Sequence, residues 1–330
     1  MLWGAKNSLP LGQKQRSMFV ELMIFLLVAM ISTMPQNIIL SLIQTVMMLS
    51  DPEYYALIGK DTLEMADINA YLAEMMANTP SWYYAAALFT SGAMIPTALL
   101  YCKLFEKRKT FTLGFFRRGF FGEYILGVIA GAVMISLPVL ACVLTGCITL
   151  TLAPSFNPIM IAIFFVAFIF QGLGEEALFR GYLMTSLARR HHVWVAIITS
   201  SLAFSLFHIG NANFSFIAFI NIFLFGVFAL VFMLKRGSIW AVGAIHTVWN
   251  FAQGNIFGFN VSGNPKFDSI FSAAQENFGA ILSGGDFGPE GGLGVTVILL
   301  IALLVALTMP AKKCEAIPYD IDEETVSSQA

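Results

Sequence analysis

The sequence predicts an all-α, polytopic transmembrane helix bundle, and three observations carry that prediction. Hydrophobic residues make up 58% of the 330-residue chain and charged residues only 12%, against about 45–50% and about 25% in soluble domains. The apolar residues gather in runs of roughly 20, the length that crosses a bilayer. The basic residues sit in short clusters between those runs, as cytoplasmic loops require.

Eight apolar runs qualify as spans, at 18–49, 82–104, 122–146, 158–187, 193–209, 214–234, 238–257 and 293–310. The fifth is the shortest. Lys6, Lys14 and Arg16 precede the first run, which has no small-residue cleavage site, so it reads as a retained helix rather than a removed leader. With both termini in the cytoplasm, all of the 18 lysines and arginines except Lys60, Lys266 and Arg180 fall on the inner side. Lys60 and Lys266 lie in outer loops where acidic residues outnumber them, and Arg180 lies within a span.

The chain thus divides into a two-span region with an acidic outer loop (1–121), a membrane core (122–310) and an acidic cytoplasmic tail (311–330). Within the first region, 107–121 mixes phenylalanine and arginine pairs, as an interfacial anchor does. The expected location is a cell membrane, and the pattern fits a bacterial cytoplasmic one. A net charge of −2 with scattered basic residues excludes a nucleic-acid footprint. Cys102, Cys142, Cys147 and Cys314 form no CxxC pair, so neither a disulfide nor a thiolate metal site is expected.

Ionisable side chains at bilayer depth cost at least about 2.5 kcal/mol each, so they pair, line a cavity or do chemistry. Glu175, Glu176, Arg180, His208 and His246 all lie in spans. Glu176 and Arg180, four apart with the acid first, suit an intrahelical ion pair. Glu175 is turned about 100° away and is left without a partner on its own helix. Phe204 with His208, and His246 with Asn250, repeat the four-residue spacing, so each pair shares a helix face. At 1.5 Å per residue, Glu175, His208, His246 and Asn250 lie ~20, ~22, ~12 and ~18 Å from the inner ends of their spans. All four levels fall in mid-membrane. A carboxylate and two imidazoles there can bind and deprotonate a water, while His246 and Asn250 can donate to a developing oxyanion. That set of groups points to hydrolysis of an amide or ester.

The same residues carry a family resemblance. GEEALFRG at 174–181, FSLFH at 204–208 and HTVWN at 246–250 resemble the EExxxR, FxxxH and HxxxN motifs of the CPBP family. That family comprises CAAX proteases, bacteriocin-processing enzymes and Abi proteins, and the resemblance covers about residues 120–310. It implies that Glu175 is the general base and holds the attacking water with His208, that His246 and Asn250 form the oxyanion hole, and that Glu176 and Arg180 brace the site. The family's name says metalloprotease, while its CAAX-processing members are regarded as glutamate-dependent without an essential metal. Zinc on Glu175, His208 and His246 is chemically acceptable, and metal dependence stays open.

Other residues take plainer readings. Phe204 is a packing residue that positions His208, Asn221 an interhelical hydrogen-bonding residue, and His191 and His192 interfacial residues. Gly172 and Gly174 would loosen the helix before Glu175 and admit water. The sequence predicts an intramembrane endopeptidase acting on a membrane-associated or lipid-modified protein or a peptide precursor. A non-catalytic Abi-type immunity protein or scaffold is the alternative. A proton-coupled transporter is disfavoured by the absence of repeats or paired broken helices.

Overall fold

The structure is a computed structural model that describes residues 16–116, 119–265, 268–276 and 279–312. Lys6, Lys14, Arg117, Arg118, Lys266, Lys313, Cys314 and the acidic tail after residue 312 lie outside the described residues. The described chain is mostly helical. Its elements are α1 (Met18–Leu49), α2 (Pro52–Ile58), α3 (Met65–Ala77), α4 (Ser81–Ser91), α5 (Met94–Leu104), α6 (Phe120–Leu144), β1 (Ile148–Leu152) and α7 (Pro158–Glu176). They continue with α8 (Thr185–Ala188), α9 (Val193–Leu206), α10 (Phe216–Arg236), α11 (Ile239–Phe251), β2 (Phe271–Gln275), α12 (Ala280–Ser283) and α13 (Leu293–Thr308).

Five helices are long and apolar enough to cross a membrane: Met18–Leu49, Ser81–Leu104, Phe120–Leu144, Pro158–Ala188 and Phe216–Arg236. The fifth and eighth sequence runs become the shorter apolar helices Val193–Leu206 and Leu293–Thr308. The seventh becomes α11 followed by a π-helical segment, Ala252–Ile256. A second π-helical segment, Ala177–Met184, joins α7 to α8. Large apolar side chains such as Leu26 and Met30 on α1, Ile129 and Val133 on α6, and Leu300 and Leu304 on α13 are exposed. Water would penalise such faces and lipid does not.

Local chemistry sets the helix ends. Ser17, Asn157, Ser215 and Ser238 each accept a backbone N–H with the side chain at the start of α1, α7, α10 and α11, the usual N-cap arrangement. At the α10–α11 corner Gly237 adopts φ 70°, a left-handed conformation that costs glycine least, and Ser238 restarts the next helix at once. Between α2 and α3, Lys60 donates to Asp67 at 2.8 Å and holds that carboxyl below its ordinary range.

The bundle is built around α11, which packs chiefly on α6 and α7. Gly127 and Gly131 lie four apart on α6 and face α11. A Cβ at Gly131 would stand 2.7 Å from the Ile245 carbonyl oxygen, and one at Gly127 would collide with the Ala241 carbonyl. Small residues at this spacing let two backbones meet where lipid offers no hydrophobic gain for association. The N-terminal helices join the same core. Phe25 of α1 contacts the rings of Phe179, Tyr182 and Phe207 at 5.3, 5.9 and 5.7 Å.

Charged side chains gather at one end of the bundle. Glu106 takes Arg108 at 2.6 Å and Arg189 at 3.6 Å, while Glu21 of α1 takes Arg190 at 3.0 Å. At that end Glu123 also accepts two hydrogen bonds from Arg236 and one from Lys312, tying α6 to α10 and to the chain after α13. The segment after Arg108 docks rather than floats, since Trp240 Nε1 donates to the Phe116 carbonyl at 2.8 Å.

Replacing Gly131 by Leu forces α6 away from α11. Thermal unfolding in detergent is expected to show a loss of about 1–3 kcal/mol. Val133→Leu, on the exposed side of the same helix, should leave the midpoint unchanged.

Candidate active site

Helix α7 presents Gln171, Glu175 and Glu176 in its last turns, and the π-helical segment that follows presents Arg180. Single π turns inside helices recur at functional sites because they rotate the residues that follow. Here the change of winding begins at Ala177, just after the two glutamates. A second π segment follows Asn250 in the same way, beginning at Ala252.

Gly172 and Gly174 do not loosen the helix, contrary to the sequence expectation. A Cβ at Gly172 would lie 3.0 Å from the Thr247 backbone nitrogen, and one at Gly174 would lie 3.2 Å from the Ser91 carbonyl oxygen. Both glycines are points of close approach. Thr247 locks the crossing further, its hydroxyl lying 3.2 Å from the Phe168 carbonyl and 2.8 Å from that of Gly243. Helices α7 and α11 therefore meet backbone to backbone at the level of Glu175, Glu176 and His246.

The expected Glu176–Arg180 pair is present, Nε to Oε2 at 3.2 Å, with both side chains fully buried. The sequence did not foretell the second partner of Glu176. His246 Nδ1–H donates to Glu176 Oε1 at 2.8 Å, across from α11. One carboxylate thus neutralises a buried guanidinium and orients a buried imidazole. The guanidinium also lies over the Phe204 ring, 4.0 Å from its centroid, a favourable cation–π geometry.

Glu175 is not without a partner on its own helix, again contrary to expectation. Gln171, four residues earlier, donates to Glu175 Oε1 at 2.6 Å and accepts from Asn250 Nδ2 at 3.1 Å. The other oxygen, Oε2, faces His246 Nε2 at 3.7 Å, too long for a direct hydrogen bond and suited to a bridging water. Asn250, Gln171, Glu175, His246, Glu176 and Arg180 therefore form one polar series across the α7–α11 contact, direct at every step except the 3.7 Å gap between Glu175 and His246. Gln171 was missed, although the four-residue spacing that identified Glu176 and Arg180 applies to it equally.

His208 sits differently. Helix α9 ends at Leu206, so His208 lies in the turn beyond it rather than on its face. Its Nδ1–H donates to the Phe204 carbonyl at 2.8 Å, satisfying one of the carbonyls that a helix end leaves unpaired. In the neutral imidazole that bond selects the tautomer in which Nε2 is the acceptor. Phe204 contacts the rings of His208 at 4.8 Å and His246 at 6.1 Å, so it stands between the two histidines. Glu175, His208, His246 and Asn250 all line one cavity of about 350 Å³, and helices α1 and α13 supply other parts of its wall.

The side chains that would have held zinc do not assemble. Among the described residues no group of three histidine, cysteine or carboxylate side chains converges for a metal, and His208 is linked to Glu175 only through the shared cavity. These residues do not fit a zinc site. Asn221 does act between helices: its amide donates to the Glu290 and Gly292 carbonyls and accepts from Thr296 of α13. His192 caps α9 by accepting from the Trp194 N–H. Cys102, Cys142 and Cys147 are buried free thiols.

Residues 157–252 match the family described as type II CAAX prenyl endopeptidase Rce1-like. The matched segment, less than a third of the chain, is similar to the CAAX protease family. It contains all seven residues of the three motifs, from Glu175 to Asn250, and Gln171 as well. No curated protein and no solved structure matches the chain. The Rce1-like match and the apolar helices together support an endopeptidase of the CAAX class in a multi-pass membrane protein.

Glu176→Gln in this Rce1-like domain would leave the buried Arg180 charge without its carboxylate. The unfolding midpoint in detergent should fall by the equivalent of about 3–5 kcal/mol. The paired change Glu176→Gln with Arg180→Met removes both charges and should recover most of that loss.

Proposed function

We propose that the chain is an intramembrane endopeptidase that hydrolyses a peptide bond in a membrane-associated or lipid-modified protein or a peptide precursor. The contrast between two adjacent carboxylates carries the reading. Glu176 is committed to Arg180 and His246, whereas one oxygen of Glu175 faces the cavity side of His246 at 3.7 Å.

Glu175 takes a proton from a water that the free Nε2 of His208 also holds, and the hydroxide oxygen attacks the scissile carbonyl carbon. The oxyanion accepts hydrogen bonds from Asn250 Nδ2 and His246 Nε2. Because Nδ1–H of His246 is spent on Glu176, donation from Nε2 requires the imidazolium. Two carboxylates against one guanidinium leave room for that second positive charge. Collapse breaks the C–N bond, and the proton held by Glu175 passes to the departing amine. Gln171 keeps the base and the oxyanion donor in register, while Phe204, Glu176 and Arg180 position the histidines.

In this reading eight helical segments cross the membrane with both termini in the cytoplasm. The Arg108, Arg189 and Arg190 cluster lies at the inner face of a bacterial cytoplasmic membrane. Residues 1–121 form a two-span region, 122–310 the protease core and 311–330 a cytoplasmic tail. The bilayer and a membrane protein or peptide are its partners.

Glu175→Gln should lower cleavage of a co-expressed substrate at least about 100-fold, the usual scale for a general base, with membrane abundance unchanged. Retained cleavage removes Glu175 from the mechanism. Absence of cleavage by the unaltered chain would favour the non-catalytic, Abi-type alternative. Washing the purified protein with a strong chelator should leave its rate unaltered, because the described residues offer no converging ligand set. Loss of activity restored by zinc would contradict that expectation.

A further inference from the structure

The cavity has a second polar end that the proposed hydrolysis does not use. Asn211 from the turn after α9, Asn221 from α10, and Ser262, Asn264 and Glu290 from the long loop between α11 and α13 line it. Glu290 is half-buried, and three neutral donors hold its carboxylate. Trp249 Nε1–H donates to Oε1 at 3.2 Å, and the Ser262 N–H and Oγ–H donate to Oε2 at 2.9 and 2.6 Å.

Neutral donors orient a carboxylate without cancelling its charge. Among the described residues Glu290 makes no ion pair and no lysine or arginine lines the cavity. Among the described residues Glu175 and Glu290 are the carboxylates on its wall, against the single imidazolium that the proposed hydrolysis places at His246. A partly desolvated site with that balance attracts a cation and rejects an anion.

The two ends are close. Trp249 lies three residues after His246 on α11, about 4.5 Å further along the axis on the same face, and both rings contact Phe225, at 5.8 and 5.3 Å. We propose that Glu290 forms a cation-binding subsite that seats an ammonium or guanidinium group of a substrate peptide within a few residues of the bond Glu175 attacks. The peptide character of the ligand rests on the peptidase reading. The charge preference rests on the cavity itself.

Binding separates this proposal from the cleavage reaction. The full chain carrying Glu175→Gln, in lipid nanodiscs, is titrated with alanine–leucine octapeptides bearing a side-chain dansyl label. Each peptide carries one lysine, arginine or norleucine, is amidated at its C-terminus, and is made with a free or an acetylated N-terminus. At low salt the cationic peptides should bind about tenfold more tightly than the acetylated norleucine peptide. Glu290→Gln should erase the difference. Trp249→Phe, which removes one donor but leaves the carboxylate, should preserve it.

A preference confined to free N-termini supports the subsite and assigns it to the α-ammonium. A preference that spans acetylated peptides supports it and assigns it to the side chain. Equal affinity for all peptides, absence of binding included, overturns the subsite. So does a preference that survives Glu290→Gln, or one that Trp249→Phe abolishes just as completely, which would make Glu290 a loop fastener only. Binding without cleavage by the chain that retains Glu175 would instead count against the peptidase reading.

Discussion

The ion pair between Glu176 and Arg180, with His246 as its third member, is the constraint on which the rest of the site depends. A guanidinium in a bilayer core needs a carboxylate at close range, and Arg180 finds it four residues back on its own helix. The same carboxylate accepts from His246 and so joins α7 to α11. The helices can approach that closely because Gly172 faces the Thr247 backbone. Remove the glycine contact and the carboxylate no longer reaches the imidazole. Remove the carboxylate and the arginine becomes an uncompensated charge. Packing and electrostatics are therefore one requirement in this region.

Much of the site was legible in the sequence because four-residue spacing is a property of the helix itself. Glu176 with Arg180, and Phe204 with His208, contact each other as that spacing demands, while His246 and Asn250 line the cavity from one helix. Polarity at bilayer depth marked which residues to examine. What escaped depended on partners from elsewhere in the chain. The link between His246 and Glu176 spans 70 residues, and nothing local announces it. Gln171 escaped for another reason: a search guided by charge passes over a neutral amide. The glycines before Glu175 were misread because helix propensity concerns an isolated helix, whereas here a neighbouring backbone occupies the space a side chain would need. The end of α9 was set too late, so His208 moved from a helix face to a turn, yet it kept its contact with Phe204.

The long loop between α11 and α13 shows the same dependence on tertiary partners. Read alone, 258–292 is a polar connection rich in glycine and asparagine. In the fold, the amides of Asn221, Gln253 and Asn255 each donate to a loop carbonyl, and its own strand β2 pairs with β1. A loop held by side chains from the helices below becomes a wall of the cavity. The N-terminal helices, which the family resemblance leaves unexplained, become another, through Ala29, Thr33 and Gln36 of α1. The cavity is a property of the whole bundle rather than of the matched segment alone.

In the proposed mechanism two neighbouring carboxylates are divided between structure and chemistry, with Glu176 bound to its partners and Glu175 acting on water. A single turnover in ¹⁸O-labelled water, analysed by mass spectrometry of both product and protein, tests that division directly. One labelled oxygen is expected in the newly formed product carboxylate and none in Glu175. An unlabelled product carboxylate after the first turnover, with the label found in Glu175, would make that side chain a covalent nucleophile and contradict the account.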